Sequence, residues 1–353
     1  MVKVQKLILE QFTAFDARTE FEFSRGINVF IGANSTGKTH ALKAMYTLLK
    51  ICERAQLEIP EKPASESGME QLKVMAQNKF DKVYKPDRIG RLVNRSHRGQ
   101  KTGRVELIYQ DKSVVVEIAS KSNKFSISSI ALPNPVSSVF LPAHEFLSAS
   151  QGFIAAYEKR ETAFDETYYD LAVALNASPL LGKRQEEIKS LVNPLEKAIQ
   201  GGKVTENKGK FYVKLPEGNL ESPLVAEGYR KLAGLIYLLN NGSLTQNGIL
   251  FWDEPEANLN PRLVKTIVDT LKTLAASGVQ IFISTHDYLF SQELSLLAEY
   301  ENWKDIRFFA FQQPKRGAGV IIEWANSLAQ ISHNPILDEF AAHYDRETRL
   351  FNQ

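Results

Sequence analysis

Residues 32–39 read Gly-Ala-Asn-Ser-Thr-Gly-Lys-Thr, which matches G-x-x-x-x-G-K-[ST] at every fixed position. An apolar run at residues 27–31 leads into this stretch, and a helix-forming run, ALKAMYTLLK, leads out of it. The chemistry such a loop can do is phosphate binding. Glycines allow a tight turn, so backbone N–H groups converge on phosphate oxygens. The helix that follows points its positive end at the same anion. Gly32, Asn34, Ser35, Thr36, Gly37 and His40 are therefore candidate cradle residues. Lys38 is placed to reach the β- and γ-phosphates, and Thr39 to set its hydroxyl on Mg²⁺.

A second set of reactive residues lies far downstream. Ile249-Leu250-Phe251-Trp252-Asp253-Glu254-Pro255 reads as an apolar strand ending in two acids. Asp253 can hold Mg²⁺ directly or through water. In an extended chain Glu254 points the other way, where it can polarise an attacking water. Ile281-Phe282-Ile283-Ser284-Thr285-His286-Asp287 repeats the pattern with a histidine at the strand end. A neutral imidazole there can meet a γ-phosphate oxygen or orient water. Asn258-Leu259-Asn260-Pro261 makes a tight loop and a helix start. Ala226-Glu227-Gly228-Tyr229-Arg230-Lys231 precedes the apolar helix LAGLIYLL. Glu227 and Gly228 suit close approach to an anion, although by residue chemistry alone plain helix capping explains them better.

The elements that must position these residues follow from periodicity. Val4 to Leu9 and Thr19 to Phe23 predict two strands joined by a turn at residues 14–17, and Gly26 punctuates the entry to the strand before the glycine loop. The helix after Thr39 is expected to end near Arg54, with an exposed Pro/Ser/Glu-rich loop at residues 56–70. Alternation at 105–109, 113–118 and 125–130 predicts an antiparallel sheet. Residues 139–141 form a short buried strand, 153–200 are helical with a break near 177–179, and 204–215 form a hairpin turning at 206–209. Arg307 to Phe311 and Val320 to Trp324 predict a closing hairpin, then a tail. Continuous apolar strands alternating with helices argue for a parallel sheet covered by helices.

Composition sets the outer bounds. The chain has 353 residues, of which 43% are hydrophobic and 24% charged, as in an ordinary globular protein. The net charge of +2 leaves any nucleic-acid contact to local patches. One cysteine, Cys52, rules out an internal disulfide framework and suits a reducing cytoplasm. The N-terminus reads as a strand rather than a signal peptide, and no apolar run is long enough to span a membrane.

In order and spacing, GANSTGKT, AEGYRK, ILFWDEPEANLNP and IFISTHD resemble the ABC-type ATPase superfamily. The resemblance is to its soluble branch, which includes RecF, SMC and OLD-like ATPases. The opening strand, FTAF, strand and GINVFIGANSTGKT are similar to that branch as well. The resemblance covers residues 1–50 and 222–290, and the middle only in layout. It implies an α/β P-loop fold of ABC type, with a mixed sheet flanked by helices. An antiparallel β and helical lobe would be inserted between the glycine loop and the AEGYRK segment. A single domain would fill residues 1–353, with the inserted lobe at 51–224, the second half of the core at 225–330 and a tail at 331–353.

The resemblance further implies ATP and Mg²⁺ as ligands. It gives Gly32 to Thr39 as Walker A, with Lys38 on the phosphates, Asp253 as the metal carboxylate, Glu254 as the catalytic base and His286 as the switch histidine. Asn258 to Asn260 would be the D-loop. Ala226 to Lys231 would be the signature segment, binding the γ-phosphate of a partner's ATP in a head-to-tail homodimer. The pattern departs at three places. Ala226 replaces the usual serine, losing a hydroxyl–phosphate bond worth roughly 1.5–3 kcal/mol. Asn260 stands where Asp or His is usual, and the Q-loop glutamine could be replaced by His144 or Glu145, or be Gln151.

What the ATPase would serve stays open between two readings. The cations of residues 79–104 (Lys79, Lys82, Lys85, Arg88, Arg91, Arg95, Arg98, Lys101, Arg104) recur every three or four positions. If helical in part they would share a face for DNA phosphates, as in repair or phage defence, though a solvated charge run explains them equally well. Alternatively the chain is a nucleotide-dependent sensor that holds or releases a separately encoded toxin or nuclease. Only 67 residues follow His286, too few for a full nuclease domain. The aromatic tail (Trp324, Phe340, Tyr344, Phe351) could dock such a partner. A transporter subunit fits less well, since 187 residues separate Thr39 from Ala226 and the signature is not LSGGQ.

Overall fold

The computed structural model describes residues 3–58, 66–96, 99–122, 124–129, 134–313 and 318–352. The chain opens with β1 (Val4–Glu10), β2 (Thr19–Glu22) and β3 (Ile27–Gly32), and β3 runs into α1 (Lys38–Glu58). Helix α2 (Glu66–Tyr84) leads to β4 (Thr102–Tyr109), β5 (Lys112–Ala119), β6 (Phe125–Ser129) and β7 (Ser138–Leu141). Next come α3 (Phe153–Glu158), α4 (Glu166–Leu175) and α5 (Lys183–Ala198), then β8 (Lys203–Asn207), β9 (Lys210–Leu215) and β10 (Gly218–Glu221). The second half alternates α6 (Glu227–Asn240), β11 (Ile249–Asp253), α7 (Pro261–Ala276), β12 (Gln280–Thr285) and α8 (Tyr288–Glu299). Strands β13 (Ile306–Gln312) and β14 (Ile321–Ala325) and helix α9 (Pro335–Phe351) follow.

Six strands form the central sheet in the order β14-β13-β3-β12-β11-β7. All neighbours are parallel except the β13–β14 hairpin at one edge. The five parallel strands sort their side chains by face. Ile27, Val29, Val139, Leu141, Leu250, Trp252, Ile281 and Ile283 face α4 to α8, whereas Phe30, Phe140, Phe251, Phe282, Phe309 and Phe311 face α1 and a second sheet. Period-two alternation explains the sorting, and both faces are covered, so the strands read as unbroken apolar runs. The phenylalanines meet across strands, with Phe251 and Phe282 stacked at 5.1 Å and Phe30 edge-on to Phe309 at 5.3 Å.

The second sheet is antiparallel, in the order β2-β1-β4-β5-β6. The inserted strands β4 to β6 are thus continuous with the start of the chain, with Leu7 opposite Leu107 and Leu9 opposite Val105. Helix α2 covers its inner face with Leu72, Ala76 and Phe80. Some expectations change. Helix α1 runs to Glu58, past Arg54, and α2 begins at Glu66, so both ends of the expected 56–70 loop are helical. Residues 59–65 of that loop lie outside the described residues. The tail is mostly the helix α9, opened by Asn334, whose side chain accepts from the backbone of Ile336 and Leu337. No helix among the described residues is long and apolar enough to cross a membrane.

A buried charge cluster ties α1, α2 and α4 together. Asp170 on α4 accepts from Tyr46 of α1 at 2.8 Å and from Lys79 of α2 at 2.5 Å. Arg54 of α1 reaches Asp170 and Glu166, each at 3.4 Å. Lys43, five residues after Lys38, pairs with Asp165 at the start of α4 at 2.7 Å. Burial pulls the Lys79 ammonium below the usual lysine range, and Asp170 and Glu166 oppose that shift. Removing one member of such a cluster strands charge in a poorly solvated place. Asp170→Ala is therefore expected to cost about 3–5 kcal/mol of stability. A urea unfolding curve checks this, and an unchanged midpoint contradicts it.

Candidate functional site

The three central strands end side by side. In the parallel register Asp253 of β11 sits opposite Ser284 of β12, and Thr285 of β12 opposite Ile31 of β3. Crevices beyond the carboxyl ends of such strands are where open α/β sheets bind ligands. A cleft of 690 Å³ opens there. It is lined by residues 34–40, by Thr13 and Ala14 of the β1–β2 loop, by Tyr84 to Asp87 and Arg91 to Val93 with Arg95, and by Glu254.

The glycine loop is held in place by its backbone. Gly37 has φ +94°, and a Cβ there would press on Ala14 and the Phe15 ring at 3.0–3.3 Å. A Cβ on Gly32 would lie 2.6 Å from the Phe311 carbonyl oxygen. The Thr36 hydroxyl donates to the Ala33 carbonyl at 2.9 Å, while Asn34 and Ser35 are exposed on the turn. Lys38 is buried and donates to the carbonyls of Gly32 and Ala33 at 2.7 and 2.8 Å. Burial lowers its pKa, against the pull of Glu254, Asp253 and Glu256. His40 lies at the cleft rim, 5.8 Å from the Tyr84 ring.

Thr39 and Asp253 meet across the gap between α1 and β11. The Thr39 hydroxyl is 3.1 Å from each Asp253 carboxylate oxygen, and Ser284 also donates to Asp253. Burial raises the Asp253 pKa, and the Ser284 and Thr39 hydrogen bonds counter it. Two hard oxygens about 3 Å apart match adjacent ligands of an octahedral Mg²⁺, whose Mg–O distance is about 2.0–2.1 Å. The oxygen donor set therefore fits that ion. No group of three or more His, Cys, Asp or Glu side chains able to hold a metal occurs among the described residues.

Glu254 does not continue the strand. Its φ of +47° is left-handed, so extended alternation is not what places its side chain. Its N–H donates to the Ser284 carbonyl at 2.9 Å, and Oε1 lies 3.0 Å from Nδ1 of His286. Glu254 is partly exposed and lines the cleft, and the His286 ring is exposed. Two residues on, Glu256 is buried and accepts from the Thr285 hydroxyl at 2.5 Å. Burial pushes its carboxyl up to about 7, against that hydrogen bond.

The AEGYRK segment opens α6, and Ala226 caps the helix with no side-chain bond. At Gly228 two leucine side chains come close, since a Cβ there would lie 2.6 Å from Leu263 and 2.9 Å from Leu259. Glu227 accepts from Asn258, itself left-handed at φ +60°, at 3.2 Å. Asn260 caps α7 by accepting from the Arg262 N–H, which accounts for an asparagine at this position. Lys231, absent from the sequence-derived candidates as a single residue, is buried and donates to the Ala257 carbonyl at 2.7 Å, with those of Glu254 and Pro255 at 3.4–3.5 Å. It clamps the loop that carries Glu254 to α6. Glu145 is committed to Arg230 at 2.6 Å and to Ser148, His144 is exposed, and Gln151 lies beside Gly209 of the β8–β9 turn, away from the cleft.

The basic segment does not form one face. Lys79 is in the buried cluster, and Lys85 donates to the Ala163 and Phe164 carbonyls. Arg104 pairs with Glu106 and Glu117. Arg91, which pairs with Asp87, and Arg95 line the cleft itself. Arg98 lies outside the described residues.

Comparison with known proteins bears on the family and the fold. The family model described as "AAA domain, putative AbiEii toxin, Type IV TA system" matches residues 27–291. The curated "Old nuclease" of Escherichia phage P2 is 43% identical over 47 residues, 13% of this chain and only 8% of that protein. Among solved structures, the Smc head domain of Pyrococcus furiosus bound to the C-terminal domain of ScpA is similar at a TM-score of 0.54. That match has 13% identity and covers 99% of this chain and 100% of the other. An SmcHead bound to the C-winged helix domain of ScpA gives 0.55 at 13% identity, covering 92% and 98%. At these identities the structural likeness is one of fold, that of ABC-type ATPase heads. With a family match across most of its length, the chain belongs to the AbiEii-type AAA domain family, and its fold is that of Smc head domains.

Proposed function

We propose that the protein binds ATP with Mg²⁺ in the 690 Å³ cleft and hydrolyses it as a head-to-tail homodimer. One observation carries this reading. The Thr39–Asp253 pair and the Glu254–His286 pair sit together at the carboxyl edge of β11 and β12, beside the glycine loop. When bound, Mg²⁺ would neutralise charge on the β- and γ-phosphates, and Thr39 and Asp253 would hold it. Gly32 to Thr39 wraps the phosphates, with Asn34, Ser35 and Thr36 on the turn and His40 at the rim. Lys38 exchanges its two loop carbonyls for phosphate oxygens. Glu254 takes the proton of the attacking water, and His286 steadies Glu254 and the γ-phosphate. Arg91 and Arg95 add positive charge to the same cleft. Glu227 and Gly228, at the start of α6, face the ATP of the second copy, where Ala226 offers no hydroxyl.

The output we favour is control of a separately encoded effector protein. The matching family description names a toxin, and the matching curated protein is named a nuclease. Action on DNA is the second reading, carried by the net positive charge of residues 79–104. That segment is dispersed over α2, the cleft and β4, so it supports no continuous DNA stripe among the described residues.

Two variants and one addition test the reading. Lys38→Ala is expected to weaken ATP binding by at least about tenfold, from the loss of charge-assisted phosphate bonds. Calorimetric titration checks this, and unchanged affinity removes the phosphate-loop role. Glu254→Gln should bind ATP as the wild type does while turnover falls about 10²–10⁴-fold; normal hydrolysis by that variant removes Glu254 as the base. Duplex DNA should leave turnover unchanged at low and moderate salt. Stimulation that fades as salt rises would move the output to DNA.

A further inference from the structure

Glu256 has no part in the chemistry above, yet it is a carboxylate buried to 8% exposure in the catalytic loop. One oxygen accepts from the Thr285 hydroxyl at 2.5 Å, and the other is buried with no hydrogen-bond partner. A residue that only filled this space would be better apolar, because burying a half-satisfied acid is costly. The Thr285 hydroxyl is itself fixed on its other side, where it accepts from the Asp287 N–H at 3.0 Å. His286 lies between Thr285 and Asp287. Its ring is 45% exposed, with Glu254 3.0 Å from Nδ1, so little packing holds it. The β12–β3 pairing holds Thr285 and the α8 cap holds Asp287, and across His286 the two are joined by the Thr285 hydroxyl, which Glu256 orients.

We propose that Glu256 is a positioning residue for hydrolysis: through the Thr285 hydroxyl it fixes the angle at which His286 meets Glu254 and the γ-phosphate. This rests on the assignment of Glu254 and His286 made above. Two links then join the loop after β11 to the loop after β12. The Glu254–His286 contact is solvent-exposed, with Glu254 on the cleft, whereas Glu256–Thr285 is buried and keeps the register of the first.

The test compares kcat and KM for ATP in Glu256→Ala, Glu256→Gln, Thr285→Val, Thr285→Ser and the Glu256→Ala/Thr285→Val double variant, with unfolding curves for each. Glu256→Ala and Thr285→Val should each lower kcat about ten- to a hundredfold, the scale of a misaligned catalytic group. KM should stay within about threefold. Glu256→Gln keeps an acceptor and Thr285→Ser keeps the hydroxyl, so both should restore most of kcat. The double variant should be no worse than the poorer single one. If Glu256→Ala keeps the wild-type kcat, if Glu256→Gln is as impaired as Glu256→Ala, or if the two losses multiply, the proposal is wrong. Should Glu256→Ala not fold, Thr285→Val and Thr285→Ser decide the question. Glu254→Gln measured alongside separates the two levels. Normal turnover in Glu254→Gln overturns the base assignment and this proposal with it. A dead Glu254→Gln with a fully active Glu256→Ala overturns the positioning role alone.

Discussion

The parallel pairing of β11 with β12 is the constraint on which the cleft depends. With Asp253 opposite Ser284, the residues that follow both strands are delivered to the same end of the sheet. The register sets Ser284 against Asp253, and the left-handed turn at Glu254 then brings Glu256 to Thr285 and Glu254 to His286. A slip of one residue would turn every side chain to the other face and break all three contacts at once. The register is protected by the sorting of faces. Phe251 and Phe282 stack on one side, while Leu250, Trp252, Ile281 and Ile283 pack on the other. Exchanging faces would put large rings into the helical layer and branched aliphatics into the aromatic one.

Packing further out turns this edge into a site. Helix α1 carries Lys38 and Thr39 at its start and is anchored along its length by Lys43, Tyr46 and Arg54 to α4. Helix α6 carries the AEGYRK segment and reaches back through Lys231 to the carbonyls around Glu254. The loop with the acids is thus gripped from two sides, by α6 through backbone carbonyls and by β12 through side chains. Movement of α6 against the sheet would pass directly to Glu254.

Much of this was legible in the sequence because it is local. The glycine spacing, the apolar strands with their terminal acids and histidine, and the hairpins all write their structure into neighbouring residues. The β8–β9 turn and the β13–β14 hairpin lie where alternation placed them. What was not legible depends on residues far apart. Lys79 read as one cation in a basic run, and only the fold shows that Asp170 and Glu166 neutralise it. Arg91 and Arg95 read the same way, and only the return of that segment over the glycine loop places them on the cleft. Glu256 lies inside ILFWDEPEANLNP, but nothing in that stretch reveals that its partner is Thr285. Helix α9 replaces the expected tail, with Leu337, Phe340 and Tyr344 exposed and, among the described residues, Phe340 meeting the Tyr288 ring at 4.4 Å.

The central claim is that each copy holds half of a working site, with the second copy supplying the start of its α6 to the nucleotide. Sedimentation velocity of Glu254→Gln protein, with and without ATP and Mg²⁺, tests this most directly. The account predicts a species of the 39.7 kDa monomer mass without nucleotide and of twice that mass with it. The shift should vanish when Lys38→Ala is added. A protein that binds ATP fully yet sediments as a monomer at every concentration would contradict the account.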